Sequence, residues 1–113
     1  MNHIDKMMSL LGKSYSTFHV VDNIRKELLE HGFVELDEKE NYVLEGGKDY
    51  FVTRNSTSVI AFRVPMNLKD AHMQITATRN DSPTFKIKPN PVKKSCGFLQ
   101  LNTEPYGGLI INT

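Results

Sequence analysis

Asp81 is the acidic residue best placed for chemistry in this chain, and it stands two positions after Arg79 in the corner Arg79-Asn80-Asp81-Ser82-Pro83. Residues i and i+2 of an extended chain point to the same side. The guanidinium and the carboxylate are therefore expected to pair. Pro83 lacks an N–H and pushes Ser82 out of the helical region, so the corner reads as an extended turn. Arg79 cannot ligate a metal: it stays protonated, offers no lone pair and repels a dication. The other metal-ligating types are scattered. His3, His19, His31 and His72 form no i, i+4 pair on a predicted helix face, and Cys96 has no CxxC partner, whereas zinc needs about three or four protein ligands.

Other chemistries fit less well. Gly46-Gly47 is a turn and not a phosphate loop, because no G-x-x-x-x-G-K-[ST] pattern surrounds it. Lys86, Lys88, Lys93 and Lys94 cluster with Arg79, but only Phe85 and Phe98 are near. A nucleic-acid site needs interleaved aromatics or a recognised fold, so the cluster reads as a solvated face. The 14 Lys and Arg against 13 Asp and Glu give a net charge of +1, which argues for neither nucleic acid nor an anionic membrane. No apolar run approaches the ~18–20 residues of a membrane span. The N-terminus lacks a signal-peptide core, because Asp5, Lys6 and Ser9 interrupt it. The lone thiol of Cys96 fits a reducing compartment, and a cytoplasmic location is expected.

The elements that must position the corner follow from periodicity. Residues 3–11 read as a helix with Ile4, Met7, Met8 and Leu11 on one face, expected to pack on the core. Residues 18–31 read as a second helix. Ser16 or Thr17 caps it, Phe18, Val21, Ile24 and Leu28 form its stripe, Asp22 and Lys26 pair at i, i+4, and Gly32 ends it. His19, near that helix start, reads as structural. Phe33, Val34 and Leu36 suggest a short strand, and Asp37-Glu38-Lys39-Glu40 a solvated turn. Tyr50–Arg54 and Ser58–Val64 read as a hairpin about Asn55-Ser56-Thr57. The second of these strands is apolar on both faces and is expected to be central. Met73, Ile75 and Ala77 alternate with Gln74, Thr76 and Thr78, predicting a strand that leads into the corner. Thr84–Lys88 predicts another, stopped by Pro89-Asn90-Pro91. Phe98–Asn102 reads as a strand, Pro105-Tyr106-Gly107-Gly108 as a turn, and Leu109-Ile110-Ile111 as an apolar strand with no evident partner. The 113 residues fit one small α+β fold, two N-terminal helices packed on a mixed or antiparallel sheet.

Asp81-Ser82-Pro83 and Phe85-Lys86-Ile87-Lys88-Pro89-Asn90-Pro91 resemble the aspartyl aminopeptidase family of zinc metallopeptidases. Members have a strand ending in His-x-Asp-Ser-Pro and then a Lys-Pro-Asn-Pro segment. Ser16-Thr17-Phe18-His19, Tyr50-Phe51-Val52-Thr53-Arg54-Asn55, Ile60-Ala61-Phe62-Arg63 and Tyr106-Gly107-Gly108 match in the same order, so the resemblance covers nearly the whole chain. It implies an intact relative that removes N-terminal Asp or Glu from peptides, using zinc within a large oligomer. It gives Asp81 the catalytic-site role of orienting the metal-bound imidazole, a contact that also raises ligand basicity. The family's zinc-binding His falls at Arg79 here. The family's remaining ligands, bridging Asp and catalytic Glu lie in later sequence. The resemblance makes residues 1–95 the N-terminal part of the catalytic domain and 96–113 the start of a dimerisation segment. The expectation is a truncated relative, inactive alone and without a cofactor of its own. Its expected partners are a second copy or a full-length relative, met through an exposed strand edge, with no nucleic acid and no membrane.

Overall fold

The computed structural model describes residues 2–67, 69 and 71–108. They form two compact units, Met1–Asp81 and Ser82–Thr113. The first unit opens with helix α1, His3–Gly12. Asn2 caps it by accepting from the Asp5 N–H, and the Asp5 carboxylate accepts from the Asn2 N–H in return. This reciprocal box satisfies helix-end donors without tertiary help. Ile4, Met7, Met8 and Leu11 all stay exposed, which corrects the expectation that this stripe packs on the core. Periodicity predicted the helix correctly, but the helix that packs on the sheet is the next one.

Helix α2, Thr17–Glu30, turns Val21 inward until 2% of it is exposed, with Ile24 and Leu28 half-buried beside it. The Asp22–Lys26 pair forms at 2.6 Å. The chain leaves the helix through Gly32 at φ 81°, a left-handed conformation that suits glycine. Ser16 occupies the N-cap position but makes no side-chain cap bond, because its hydroxyl lies 2.8 Å from His19 Nδ1 instead.

Three strands follow in the spatial order β1-β2-β3: Val34–Leu36, Asp49–Arg54 and Ser58–Arg63. β1 runs parallel to β2, with Val34 opposite Tyr50 and Leu36 opposite Val52. β3 runs antiparallel to β2, with Phe62 opposite Tyr50 and Ile60 opposite Val52. The sheet is thus mixed, and α2 packs against β3. β2 is the central strand, not β3 as its two-sided apolar pattern predicted. Tyr50 and Phe51 are consecutive, so they face opposite sides of the sheet, yet they are 3% and 0% exposed. The β1–β2 pairing decides the order, and no local pattern encodes it. Asn55 and Ser56 take the turn at φ 51° and 54°, a conformation that asparagine tolerates well. Gly47, at φ 79°, closes the loop before β2 by donating to the Val64 carbonyl at 2.8 Å, and a Cβ there would meet Met66 Sδ at 2.5 Å.

Residues 71–83 form no strand, and Met73 and Ile75 are exposed. The alternation from Met73 to Thr78 marks a segment able to be a strand. A strand also needs a neighbour to take its backbone bonds, and among the described residues none pairs with this one.

The second unit is a hairpin, β4 (Thr84–Ser95) and β5 (Phe98–Tyr106), turned by Cys96 and Gly97 at φ 49° and 79°. Pro89-Asn90-Pro91 does not stop β4 as predicted. The register jumps from Ile87↔Thr103 to Val92↔Leu101, so residues 88–91 bulge opposite Asn102 alone. The prolines sit where no ladder bond is required of them, and Asn102 Nδ2 donates to the Asn90 carbonyl across the bulge at 3.3 Å. β5 extends through Pro105-Tyr106, where a turn was expected, because Pro105 and Tyr106 pair with Phe85 and Thr84. The Lys86 ammonium lies 3.6 Å from the Tyr106 ring centroid. The expected strand Leu109-Ile110-Ile111 lies outside the described residues.

Phe51→Ala should cost about 3–5 kcal/mol, because it empties the centre of a small core. Met8→Ala, at an exposed position, should stay within about 0.5 kcal/mol. Chemical denaturation of both variants checks this. A Met8 effect as large as that of Phe51 would place α1 in the core.

Candidate functional site

The corner carries the arrangement that the i, i+2 spacing predicts. Arg79 Nε donates to Asp81 Oδ1 at 3.0 Å and Arg79 Nη2 to Oδ2 at 3.2 Å. This is a bidentate fork on a carboxylate, the geometry a guanidinium holds best. The Arg79 side chain is 73% exposed and that of Asp81 21%. Between them, Asn80 turns the other way and donates to the Thr57 carbonyl at 2.6 Å. That bond ties the corner to the β2–β3 turn. Asp81 therefore has both oxygens engaged by a cation on its own chain. This donor set does not suit a zinc ion, whose place near the carboxylate would be contested by the guanidinium charge.

The histidines are not brought together with the corner. His19 contacts the Ser16 hydroxyl and meets the Tyr15 ring edge-on at 5.7 Å. His31 Nδ1 lies 2.8 Å from the Glu27 carbonyl at the end of α2. Both contacts are local to the helix ends. Among the described residues, no group of three His, Cys, Asp or Glu side chains could hold a metal ion.

One feature escaped the sequence reading. On the face of the sheet that bears Val52, Ile60 and Phe62, a groove of about 450 Å³ runs beneath Tyr42, with Glu38 and Arg54 also lining it. Arg54 Nε donates to Glu38 Oε1 at 2.6 Å. The bond holds the Glu38 carboxyl below its ordinary range, and Glu38 in turn raises the Arg54 guanidinium. The sequence signal for it was the run of apolar residues Val52, Ile60 and Phe62 on one face of the predicted hairpin.

The sequence model of the family described as "Aminopeptidase I zinc metalloprotease (M18)" matches residues 10–113. Aspartyl aminopeptidase 4 of Saccharomyces cerevisiae is 41% identical over 109 residues, covering 93% of this chain and 22% of that protein. In a cryo-EM structure of the Ape4 and Nbr1 complex, a chain 38% identical superposes with a TM-score of 0.83 over 91% of this chain and 20% of its own length. The S. cerevisiae mApe1 dodecamer is 27% identical with a TM-score of 0.74, over 95% of this chain and 26% of that one. The chain spans about a quarter of the length of the curated relatives it matches.

Arg79→Ala should lower stability by only about 0–1 kcal/mol, as for other exposed ion pairs. Equilibrium unfolding measures it. A loss above roughly 3 kcal/mol would mean that a buried carboxylate had lost its partner.

Proposed function

This chain belongs to the aminopeptidase I zinc metalloprotease (M18) family, and from that membership we propose that it is the N-terminal part of an aspartyl aminopeptidase catalytic domain that does not catalyse alone. The observation that carries this reading is the bidentate Arg79–Asp81 pair. The family resemblance puts a zinc-binding His at position 79 and gives Asp81 the task of orienting it. Here a guanidinium fills that place and engages the carboxylate that would have done the orienting. The positive charge of the metal is replaced by one covalently fixed to the chain. The substrate class of the complete enzyme, peptides with an acidic N-terminus, follows from its likeness to the yeast aspartyl aminopeptidase at 41% identity. Residues 1–95 are assigned to the catalytic domain and residues 96–113 to the start of a dimerisation segment. A cytoplasmic site accords with the exposed thiol of Cys96.

A second reading rests on a different observation. Ile60, Phe85, Ile87, Leu99 and Leu101 are all exposed, and β3 lies at one edge of its sheet. Unpaired edges and exposed apolar surface promote association. The chain then acts as an assembly module, joining a second copy or a longer M18 relative. A chain related at 27% identity is described as a dodecamer.

The test measures metal content and turnover of an aspartyl chromogenic peptide, for the wild type and for Arg79→His, after removal of any copurified peptidase. The wild type should hold no stoichiometric zinc and turn over nothing. Arg79→His should gain weak zinc affinity through one imidazole and one carboxylate, still without turnover. Stoichiometric zinc with turnover in the wild type would overturn the reading.

A further inference from the structure

We propose that residues 73–79 are a strap that closes onto the free edge of β3 in the same chain, adding a fourth, antiparallel strand with Ile60 opposite Ala77 and Phe62 opposite Ile75. The inference goes beyond the reading above and concerns backbone pairing alone. Two observations meet here. The backbone runs from residue 71 to residue 83 without a turn or a bend, so the segment is already extended. β3 is the last strand of its sheet, and among the described residues no strand pairs with its outer edge. The inner ladder decides which groups lie on that edge. The Val64 N–H donates to the Lys48 carbonyl at 2.9 Å. Val64, Phe62 and Ile60 therefore turn their backbone groups toward β2, and Val59, Ala61 and Arg63 turn theirs outward. Such a row of donors and acceptors is a template for one more strand.

One bond sets the register. Asn80 Nδ2 donates to the Thr57 carbonyl at 2.6 Å, at the foot of β3. β3 leaves this turn at Ser58, and the segment returns to it at Asn80, so the two run antiparallel. With Asn80 opposite Thr57, Val59 faces Thr78, Ala61 faces Thr76 and Arg63 faces Gln74. Between them, Ile60 faces Ala77 and Phe62 faces Ile75. Opposite residues share a face of the sheet. Ile75 and Ala77 then continue the apolar face of Ile60 and Phe62, and Gln74, Thr76 and Thr78 stand on the other. A slip of one residue either way would set Ile60 against Thr76 or Thr78, so the hydrophobic pattern and the Asn80 anchor select the same parity. The anchor also holds one end of the segment beside its target, which keeps the loop entropy lost on closing small. Ordering the segment's backbone opposes closure, and the bonds of an edge ladder offset that only in part. The open form predominates, and the strap is a minor form that a cross-link captures.

Disulfide trapping tests the strap. Cys96→Ser removes the native thiol, and Ile60→Cys with Ala77→Cys places two new ones. Directly opposite residues of a pair without mutual backbone bonds stand about 4.5 Å apart at Cα, within the range a disulfide spans. Ile60→Cys with Ile75→Cys is the control, because Ile75 lies two residues further along on the same face. All of these positions are exposed, and thermal melts followed by circular dichroism check folding. Under oxidised glutathione at low protein concentration, the Ile60–Ala77 pair should close about tenfold faster than the control, because only thiols held in register gain the higher effective concentration. Adding Thr76→Pro should slow that closure several-fold, since it removes the N–H that must bond Ala61. In the oxidised protein, the amides of Gln74, Thr76 and Thr78 should exchange at least about tenfold more slowly than in the reduced one. Equal rates for the two pairs, a faster control, closure unaffected by Thr76→Pro, a disulfide that joins two chains, or unprotected amides after oxidation would each overturn the strap.

Discussion

A strand is stable only where its backbone groups and its side chains both find partners, and β2 is where the N-terminal unit meets that requirement. It is flanked by β1 on one edge and β3 on the other. The side chains of Tyr50 and Phe51, on opposite faces, are both withdrawn from water. Val21 of α2 completes the small set of fully buried apolar residues among those described. The rest of the unit is fastened to this strand. The Tyr50 hydroxyl accepts from the Glu45 N–H at 2.9 Å, and Asp49 pairs with Arg63 at 3.2 Å. Arg25 of α2 reaches Glu35 of β1 at 2.7 Å, linking the helix to the far edge of the sheet. Exposed pairs of this kind add little individually, so apolar burial around β2 carries most of the stability.

The same requirement explains what was legible in the sequence. Local rules located both helices, the hairpin about Asn55-Ser56-Thr57 and the left-handed exit at Gly32, because each is decided by residues close in the chain. Long-range pairing was not legible. The parallel register of β1 with β2 spans the loop 37–48, and it displaced β3 from the centre. The Met7–Met8 stripe failed for a related reason. Amphipathicity reports that a helix can bury a face, and says nothing of whether a surface is available. The prolines at 89 and 91 were expected to end a strand and instead sit in a bulge, because β5 is long enough to resume pairing at Val92.

At the corner, spacing was informative and context was not. The i, i+2 rule placed Arg79 against Asp81. The alternation from Met73 to Thr78 also promised a strand to hold that corner, and the structure has none there. A metal site needs its ligands fixed by supporting elements. Here the corner is held by the Asn80 bond to the Thr57 carbonyl and by the ion pair itself. Among the described residues, no strand leads into the corner to support it. The groove beneath Tyr42 was missed because its walls come from a loop and two strands that only the fold brings together.

Amide hydrogen exchange tests this account directly. Exchange protection follows local opening free energy, and unpaired exposed amides exchange fastest. The amides of residues 50–52 should be among the slowest in the N-terminal unit, while those of residues 72–78 should exchange near the rate of an unstructured chain. Protection of residues 72–78 equal to that of β2 would show that this segment is a paired strand, and would contradict the account in which no strand leads into the corner.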